Sequence, residues 1–230
     1  MQNYDVEVVA QAIVDYCKNN DVKFIFISGN GASGKTELSK LIKSKSEGYG
    51  YVNTIDMDEF VVDTKLRKSA KVEWIDSKSG NPETGSYSTV FAASYFLQNV
   101  NAILFNLKMG NNYWHWPKRA KCEDDCKEEY KADSFLTIVE GVGSVYVDHP
   151  KGVSLSIFMR CSKEVEIERR VNRARFSNEQ SRSDVEKQYD ERNKQFESII
   201  LPYADQHDLL LESCEDYSCN VIKDSLNIVS

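Results

Sequence analysis

The stretch from Phe24 to Lys40, FIFISGNGASGKTELSK, constrains the fold of this chain more than any other segment. Its first residues are apolar, with aromatic and β-branched side chains, and predict a strand buried on both faces. A turn with three glycines follows, and Leu38, Leu41 and Ile42 then recur at helical spacing. A strand, a glycine turn and a helix in this order predict an α/β fold with a parallel sheet.

The turn itself predicts a phosphate-binding site. Residues 29–36 fit the pattern GxxxxGK[ST], in which loop N–H groups and a helix N-terminus point at a phosphate. Lys35 would reach the β- and γ-phosphate oxygens, and the Thr36 hydroxyl would ligate Mg²⁺. The alternative, a glycine turn without a ligand, is disfavoured by the predicted strand and helix on either side. The residues predicted to bind the nucleotide are Gly29, Asn30, Gly31, Ala32, Ser33, Gly34, Lys35 and Thr36.

Further apolar runs and helical patterns extend this unit into a complete domain. Five runs predict buried strands, at residues 23–28, 51–57, 136–140, 154–161 and 208–212. Helical periodicity recurs from Phe91 to Leu107 and from Val185 to Ile200, where Pro202 stops it. We therefore expect one domain over residues 1–230, a three-layer P-loop NTPase sandwich with a central, mostly parallel five-stranded sheet.

Two polar segments are too long for tight connections in such a domain. Residues 65–87 contain DSKSGNPETGSY, and residues 118–133 read KRAKCEDDCKEEYKAD. Long loops in a compact α/β domain are usually functional or mobile. We therefore predict loops at both places.

Charge and composition exclude several classes of protein. A formal net charge of −7 argues against nucleic acid as the main partner. The sequence contains no run of about 18 apolar residues, so we expect no membrane span, and we expect a cytosolic protein. A zinc site made by Cys122, Cys126, Cys214 and Cys219 is an alternative to reduced, inert thiols, but the spacing favours thiols.

Carboxylates follow two of the predicted strands. Asp56, Asp58 and Glu59 end the second strand, and Glu140 ends the third. The carboxyl edge of a parallel sheet is where ligands bind, so these groups could accept a proton from a hydroxyl or hold a metal. Helix caps or solvated turns are the alternatives.

Four arginines lie within seven residues after the fourth predicted strand: Arg169, Arg170, Arg173 and Arg175. Together with the polar stretch that follows, they predict a mobile lid over residues 168–183 that neutralises transferring phosphates. A solvated basic helix face paired with Glu164, Glu166 and Glu168 is the alternative.

With these motifs in order, the chain resembles the uridine kinase and phosphoribulokinase family of P-loop kinases. The family's acidic element after the second strand is similar to Asp58-Glu59-Phe60, and its EG element is similar to Glu140-Gly141. Its arginine signature resembles the segment from Arg169 to Ala174. The later uridine kinase pattern is similar to Gln188-Tyr189, Leu201-Pro202 and the run that begins at Asp208.

The resemblance implies a role for each matching residue. Asp58 would be the catalytic base, acting with Lys35 and with the lid residues Arg170 and Arg173. The Mg²⁺ ion would be held by Thr36, Asp58 and Glu140. The acceptor would be held by Tyr113, His115, Arg119 and Gln188.

The chain also departs from the family pattern. Ala174 stands where the lid usually has an Asp, Glu59 replaces the second Asp of the acidic element, and Val61 replaces its Tyr. These departures bear on the identity of the acceptor more than on the phosphoryl transfer. His115 lies between two tryptophans and could equally be part of a packed aromatic cluster.

We therefore expect an ATP- and Mg²⁺-dependent kinase acting on a hydroxyl of a small molecule, a nucleoside such as uridine or cytidine. Alternatives are a kinase for another metabolite, an ATPase or switch with a protein partner, and a binding module without catalysis. The nearest string to the guanine-specific NKxD element, at Asn193, lacks its Asp. The aromatic segment 87–107 could be core or the interface of a homo-oligomer.

Overall fold

The computed structural model describes residues 2–116, 127–177 and 181–229, except for the side chains of residues 174–177. The strands are β1 (Gln2–Tyr4), β2 (Phe24–Gly29), β3 (Val52–Asp56), β4 (Lys71–Ile75), β5 (Pro82–Ser86), β6 (Tyr113–His115), β7 (Glu128–Tyr130), β8 (Leu136–Glu140), β9 (Ser154–Cys161), β10 (Leu209–Ser213) and β11 (Cys219–Asp224). The helices are α1 (Val6–Asn19), α2 (Lys35–Lys45), α3 (Thr64–Ser69), α4 (Leu97–Lys108), α5 (Lys163–Ser177) and α6 (Arg182–Ile199). Short 3₁₀ turns lie at Met57–Phe60, Ala92–Ser94, Val142–Tyr146 and Leu201–Gln206.

A seven-stranded sheet in the order β1-β11-β10-β9-β2-β8-β3 forms the centre of the fold. The five predicted strands are its contiguous parallel part, β10 to β3. The predicted number of five was too low, because β1 and β11 extend the sheet with antiparallel pairing. These two strands were missed because β1 has only three residues and β11 mixes polar and apolar residues, most of them half-buried.

Alternating side chains of β2 divide the core between the two faces of the sheet. Ile25 and Ile27 pack on one face with helices α1 and α2. Phe24 and Phe26 pack on the other face with Ile103 and other residues of α4. Burial on both faces explains why β2 is apolar along its whole length, and it gives the predicted three-layer arrangement.

The prediction of a loop over residues 65–87 was wrong. The segment forms α3 and the antiparallel hairpin of β4 and β5. Asp76 closes the hairpin turn, since its carboxylate accepts hydrogen bonds from the backbone N–H and the hydroxyl of Ser79. The two hairpin strands are mainly polar and exposed, with Trp74 as the buried exception, so they lack the apolar run that marks a buried strand.

The helices differ from the predictions at two places. Helix α1 was not predicted, although its capping Asp5 and buried face are regular. Helix α4 begins at Leu97 and not at Phe91, because a 3₁₀ turn intervenes and Phe91 packs instead against Trp74 and Tyr87. In the described ranges, no helix combines the length and apolar character that a membrane span requires.

His207 is a buried titratable group that links β10 to the layer beside it. Its Nδ1 lies 2.7 Å from the carbonyl oxygen of Tyr203, so Nδ1–H donates, and its ring lies against Phe158. Burial is the main cause that lowers the pKa of His207, and the pKa of His149 is lowered for the same reason. The folded protein therefore binds fewer protons at these rings than the unfolded chain does.

We predict that the free energy of unfolding falls as the pH is lowered from 7.5 to 5.5. The unfolded histidines take up protons near their ordinary pKa of about 6.5, whereas the folded ones resist protonation, so this stability is lost through that window. Each such group can contribute a slope of at most about 1.4 kcal/mol per pH unit. Urea unfolding at several pH values measures it. His207→Gln, which keeps a donor for Tyr203, should reduce the slope, and an unchanged slope would contradict the assignment.

Candidate functional site

The carboxyl ends of the parallel strands open into a cavity of about 770 Å³. Its floor is the phosphate-binding turn between β2 and α2, and Asp56, Asp58 and Glu140 line the same space from the ends of β3 and β8. The strand ends meet here because β3, β8 and β2 are adjacent and parallel. The structure thus places the turn and these three carboxylates at one edge of the sheet.

The shape of the turn depends on backbone that only glycine tolerates well. Gly29 has a φ of +133°, and a Cβ atom there would lie 1.7 Å from the Met159 carbonyl oxygen. Gly34, which precedes α2, has a φ of +94°. The loop therefore passes directly over β9, and its amides curl ahead of the α2 N-terminus.

Lys35 holds its ammonium inside this turn. Nζ donates to the carbonyl oxygens of Asn30 at 2.6 Å and Gly29 at 3.2 Å. The side chain is 9% exposed, and burial is the main cause that lowers its pKa, against the opposing effect of Glu140. A desolvated cation interacts with a phosphate more strongly than one in water, so this position suits phosphate binding.

Thr36 and Glu140 form the oxygen-ligand pair of the site. The Thr36 hydroxyl donates to Glu140 Oε1 at 2.9 Å, and Glu140 is buried at the end of β8. Burial and then the neighbouring Asp56 raise the pKa of Glu140. Hydroxyl and carboxylate oxygens are ligands that Mg²⁺ prefers, usually one or two carboxylates together with phosphate oxygens. The donor set therefore fits Mg²⁺.

Asp56 and Asp58 differ in their surroundings. Asp56 caps the 3₁₀ turn, and its Oδ1 accepts from the Asp58 N–H at 2.8 Å. Asp58 is exposed to the cavity. The helix-cap alternative thus describes Asp56, whereas Asp58 faces the space in which an acceptor would lie.

Helix α5 is attached to the turn by a buried chain of hydrogen bonds. Asn30 donates to Glu166 Oε2 at 2.5 Å, while Arg170 contacts Glu166 Oε1 through Nε and Nη2 at 2.8 and 2.6 Å. The Cys161 N–H at the end of β9 donates to Asn30 Oδ1. We name Asn30, Glu166 and Arg170 the loop clamp. The alternative to the lid paired Glu166 with these arginines on a solvated helix face; the structure shows the i,i+4 pair with Arg170, but Glu166 is buried against the turn.

The predicted lid is thus not separate from the body of the protein where the structure describes it. Residues 168–177 continue α5, residues 181–183 lead into and begin α6, and residues 178–180 lie outside the described ranges. Arg170 and Arg173 both line the cavity. The side chain of Arg175 is also outside the described part.

Arg169 is a site residue that the prediction did not assign. Its guanidinium donates to the Ala32 carbonyl at 2.9 Å and to the Cys214 carbonyl at 2.6 Å, and it lies over the ring of Tyr217. It therefore joins the turn to the chain after β10. The dense arginine cluster was the signal, but its spacing does not show which arginines face the turn.

The four predicted acceptor-binding residues fall in different places. Gln188 on α6 lines the cavity, but Tyr113 and His115 on β6 do not. His115 stacks on Phe60, with ring centroids 4.7 Å apart, and burial is the main cause that lowers its pKa. This is the packing expected for the aromatic-cluster alternative. Arg119, Cys122 and Cys126 lie outside the described residues.

A second wall of the cavity comes partly from the segment predicted as a loop. Helix α3 contributes Arg67 and Lys68, residues 86–90 continue from β5, and α6 contributes Arg192 and its neighbours. The basic residues just after Phe60 were a signal in the sequence. A segment predicted as a loop does not show which way its side chains face, so this signal did not identify a wall of the cavity.

Comparison with known proteins connects this geometry to a family. The model of the phosphoribulokinase/uridine kinase family matches residues 24–219. No curated protein sequence matches the chain.

Three solved structures share the fold at low sequence identity. A D-glycerate 3-kinase from Cryptococcus neoformans is 10% identical, with a TM-score of 0.63, over 94% of this chain and 97% of that one. Phosphoribulokinase from Rhodobacter spheroides is 17% identical, with a TM-score of 0.52, over 84% and 70%. A putative fructose transport system kinase from Silicibacter sp. TM1040 is 14% identical, with a TM-score of 0.50, over 88% and 91%.

We predict that Asn30→Ala destabilises the protein by about 1–3 kcal/mol, because it removes partners from the buried Glu166 carboxylate and the Cys161 N–H. Asn30→Asp should cost more, since a second carboxylate would face Glu166. Urea unfolding of both variants measures the effect. Asn99→Ala on the exposed face of α4 is the control and should change little. If Asn30→Asp is as stable as the wild type, the loop clamp is not a stabilising contact.

Proposed function

Because the chain belongs to the phosphoribulokinase/uridine kinase family, we propose that it transfers the γ-phosphoryl group of ATP, in the presence of Mg²⁺, to a hydroxyl of a small molecule. The observation that carries this proposal is the shared cavity. The phosphate turn, the Thr36–Glu140 pair and the exposed Asp58 all line it. Donor, metal and acceptor would thus meet at one sheet edge.

The turn and Lys35 hold the phosphates of the donor. The Lys35 ammonium lies within reach of two loop carbonyls, and it would exchange these contacts for phosphate oxygens without leaving the turn. Thr36 and Glu140 would hold Mg²⁺, which supplies neutralisation of the phosphate charge when bound. These residues position the donor phosphates and neutralise their charge, which is most of what phosphoryl transfer requires.

Asp58 acts on the acceptor. Its carboxylate orients the hydroxyl and takes its proton as the new bond forms between the acceptor oxygen and the γ-phosphorus. The bond from the γ-phosphorus to the β–γ bridging oxygen breaks, and the electron pair leaves with ADP. Asp58 suits this role because it is exposed to the cavity and is not tied up as a cap, unlike Asp56.

Arg170 and Arg173 stabilise the charge that develops during the transfer. Both line the cavity from α5, and Arg170 is held in place by Glu166 beside Gly31. Preorganised cations of this kind act without reorganisation at the moment of reaction.

A nucleoside such as uridine or cytidine is the acceptor class that the sequence resemblance favours. Gln188 supports it from within the cavity. Tyr113 and His115 give no such support from their positions on β6, and a non-nucleoside hydroxyl compound is the competing acceptor. A cytoplasmic location is proposed with this metabolic role.

The transfer is tested with labelled ATP, Mg²⁺ and a panel of hydroxyl acceptors, together with a sample without acceptor. We expect label to appear in one acceptor class and little free phosphate without it. Free phosphate that forms equally with and without every acceptor would instead indicate an ATPase. The panel includes uridine, cytidine, pantothenate, nucleoside monophosphates, ribulose 5-phosphate and D-glycerate.

We predict that Asp58→Asn lowers kcat by about 10²–10⁴, because an amide cannot take the proton of the acceptor. ATP binding should stay near the wild-type value, since Asp58 serves the acceptor. Asp148→Asn, an exposed change away from the cavity, is the matched control. Turnover of Asp58→Asn within about threefold of the wild type would refute its role as base.

We predict that Thr36→Ala raises the Mg²⁺ concentration needed for half-maximal rate by at least about tenfold, because it removes an oxygen ligand and the partner of Glu140. Thr36→Ser keeps the hydroxyl and should restore most of the dependence. Initial rates over a Mg²⁺ titration measure both. Equal Mg²⁺ requirements for Thr36→Ala and the wild type would show that this hydroxyl is not a ligand.

A further inference from the structure

One wall of the cavity, residues 86–90, is unusual in how its backbone is bonded. Each of these five consecutive carbonyl groups accepts a hydrogen bond from a different side chain of the protein. In chain order the donors are Gln195, Arg67, Ser94, Tyr95 and Tyr146, at 3.1, 3.5, 2.6, 2.6 and 2.5 Å. We name residues 86–90 the donor wall.

The donor wall has few acceptor groups left for a ligand. Its carbonyl oxygens are already bonded, and burial raises the pKa of Tyr95 and Tyr146, so these phenols stay protonated and keep donating. The backbone N–H groups of Ser88 and Thr89 donate to no group in the described part of the chain. Successive free N–H groups beside hydroxyls are suited to bind an anion.

Cations flank the donor wall without acidic partners. Arg67 uses three of its five N–H donors, on Val62 O, Tyr87 O and Thr64 Oγ1, and all three acceptors are neutral. Within the described ranges, the side chains of Lys68 and Arg192 make no hydrogen bond or ion pair. All three cations line the cavity.

The guanidinium of Arg192 is close enough to Arg170, and to a smaller extent to Arg67, for their positive charges to repel it. Displaced water is the main cause that lowers its pKa, and Arg170 is the second, with a smaller contribution from Arg67. Glu166 and Glu191 oppose this, but Glu166 is already bonded by Asn30 and Arg170. Cations crowded in this way are stabilised when an anion binds between them.

We propose that the phosphoryl acceptor carries an anionic group, a carboxylate or a phosphate monoester, which binds between the donor wall and the side chains of Arg67, Lys68 and Arg192. Asp58, on the same cavity, receives the hydroxyl of this acceptor. The inference rests on the proposed kinase function and assigns its substrate class. A neutral nucleoside would bring no negative charge to offset the three cations.

Binding measured without turnover separates this inference from the kinase reaction itself. The full chain is saturated with Mg²⁺ and a non-hydrolysable ATP analogue, which occupies the phosphate turn, and ligands are titrated by calorimetry. The probes are D-glycerate for the carboxylate, ribulose 5-phosphate for the phosphate monoester, and uridine as the neutral compound. We expect an anionic probe to bind more tightly than uridine. The anion that binds more tightly shows whether the acceptor carries a carboxylate or a phosphate monoester.

Substitutions test the assigned side chains. Arg192→Gln should weaken the anionic probe about 10- to 100-fold, because a charge-assisted hydrogen bond is lost, and Arg192→Lys should recover part of it. In steady-state kinetics, Arg192→Gln should raise KM for the acceptor while KM for ATP stays unchanged. Lys194→Gln lies on the same helix, pairs with Glu83 at the surface and does not line the cavity, so it serves as the control.

Three results would overturn the inference: uridine binding in preference to both anions, no binding of either anion, or an Arg192→Gln variant that binds the anion as tightly as the wild type. Binding of an anionic probe without any label transfer from ATP would leave the anion site standing and remove the kinase proposal. Failure of the anion site can therefore be distinguished from failure of the kinase proposal.

Discussion

The buried ammonium of Lys35 is the charge around which the site is arranged. Burying a cation is costly unless it is paired and hydrogen-bonded, and here loop carbonyls bond it directly while Glu140 and Glu166 lie close enough to favour its charged form. These two carboxylates are nearly inaccessible to solvent themselves. Each therefore needs its own donors, which are Thr36 for Glu140 and the Asn30 and Arg170 side chains for Glu166.

This chain of requirements connects the elements of the fold. Glu140 ends β8 and Thr36 lies in the first turn of α2, so their contact joins the strand beside the β3 edge of the sheet to the helix that follows the turn. Glu166 lies on α5, and Asn30 also accepts from the end of β9. The buried ammonium of Lys35 thus links the positions of β8, α2, α5 and β9. A buried carboxylate that lost its donor would destabilise the protein by more than its interaction with Lys35 stabilises it.

The two sides of the cavity use opposite electrostatic arrangements. On the metal side, carboxylates and a hydroxyl gather near one cation, which suits a divalent ion and phosphates. On the side of the donor wall, cations and free N–H groups gather without carboxylates at bonding distance in the described ranges. The two ends of the cavity therefore differ in charge. We propose that the nucleotide binds at the first end and an anionic acceptor at the second.

The sequence by itself determined the phosphate turn, the five parallel strands and the carboxylates at their ends. These features depend on local pattern, because a strand buried on both faces must be apolar and a turn with φ values such as those of Gly29 and Gly34 needs glycine. Asp58 follows one parallel strand and Glu140 ends another, so both lie at the carboxyl edge of the sheet.

Only the tertiary structure decided which surface receives the acceptor. Arg67, Lys68 and residues 86–90 come from a polar segment whose hairpin has no apolar run, and Arg192 lies on a helix about a hundred residues further along the chain. Their meeting depends on how α3 and α6 both pack against the hairpin of β4 and β5. Long-range packing of this kind leaves no periodic signal in the sequence, whereas His115, which the local motif favoured, packs against Phe60.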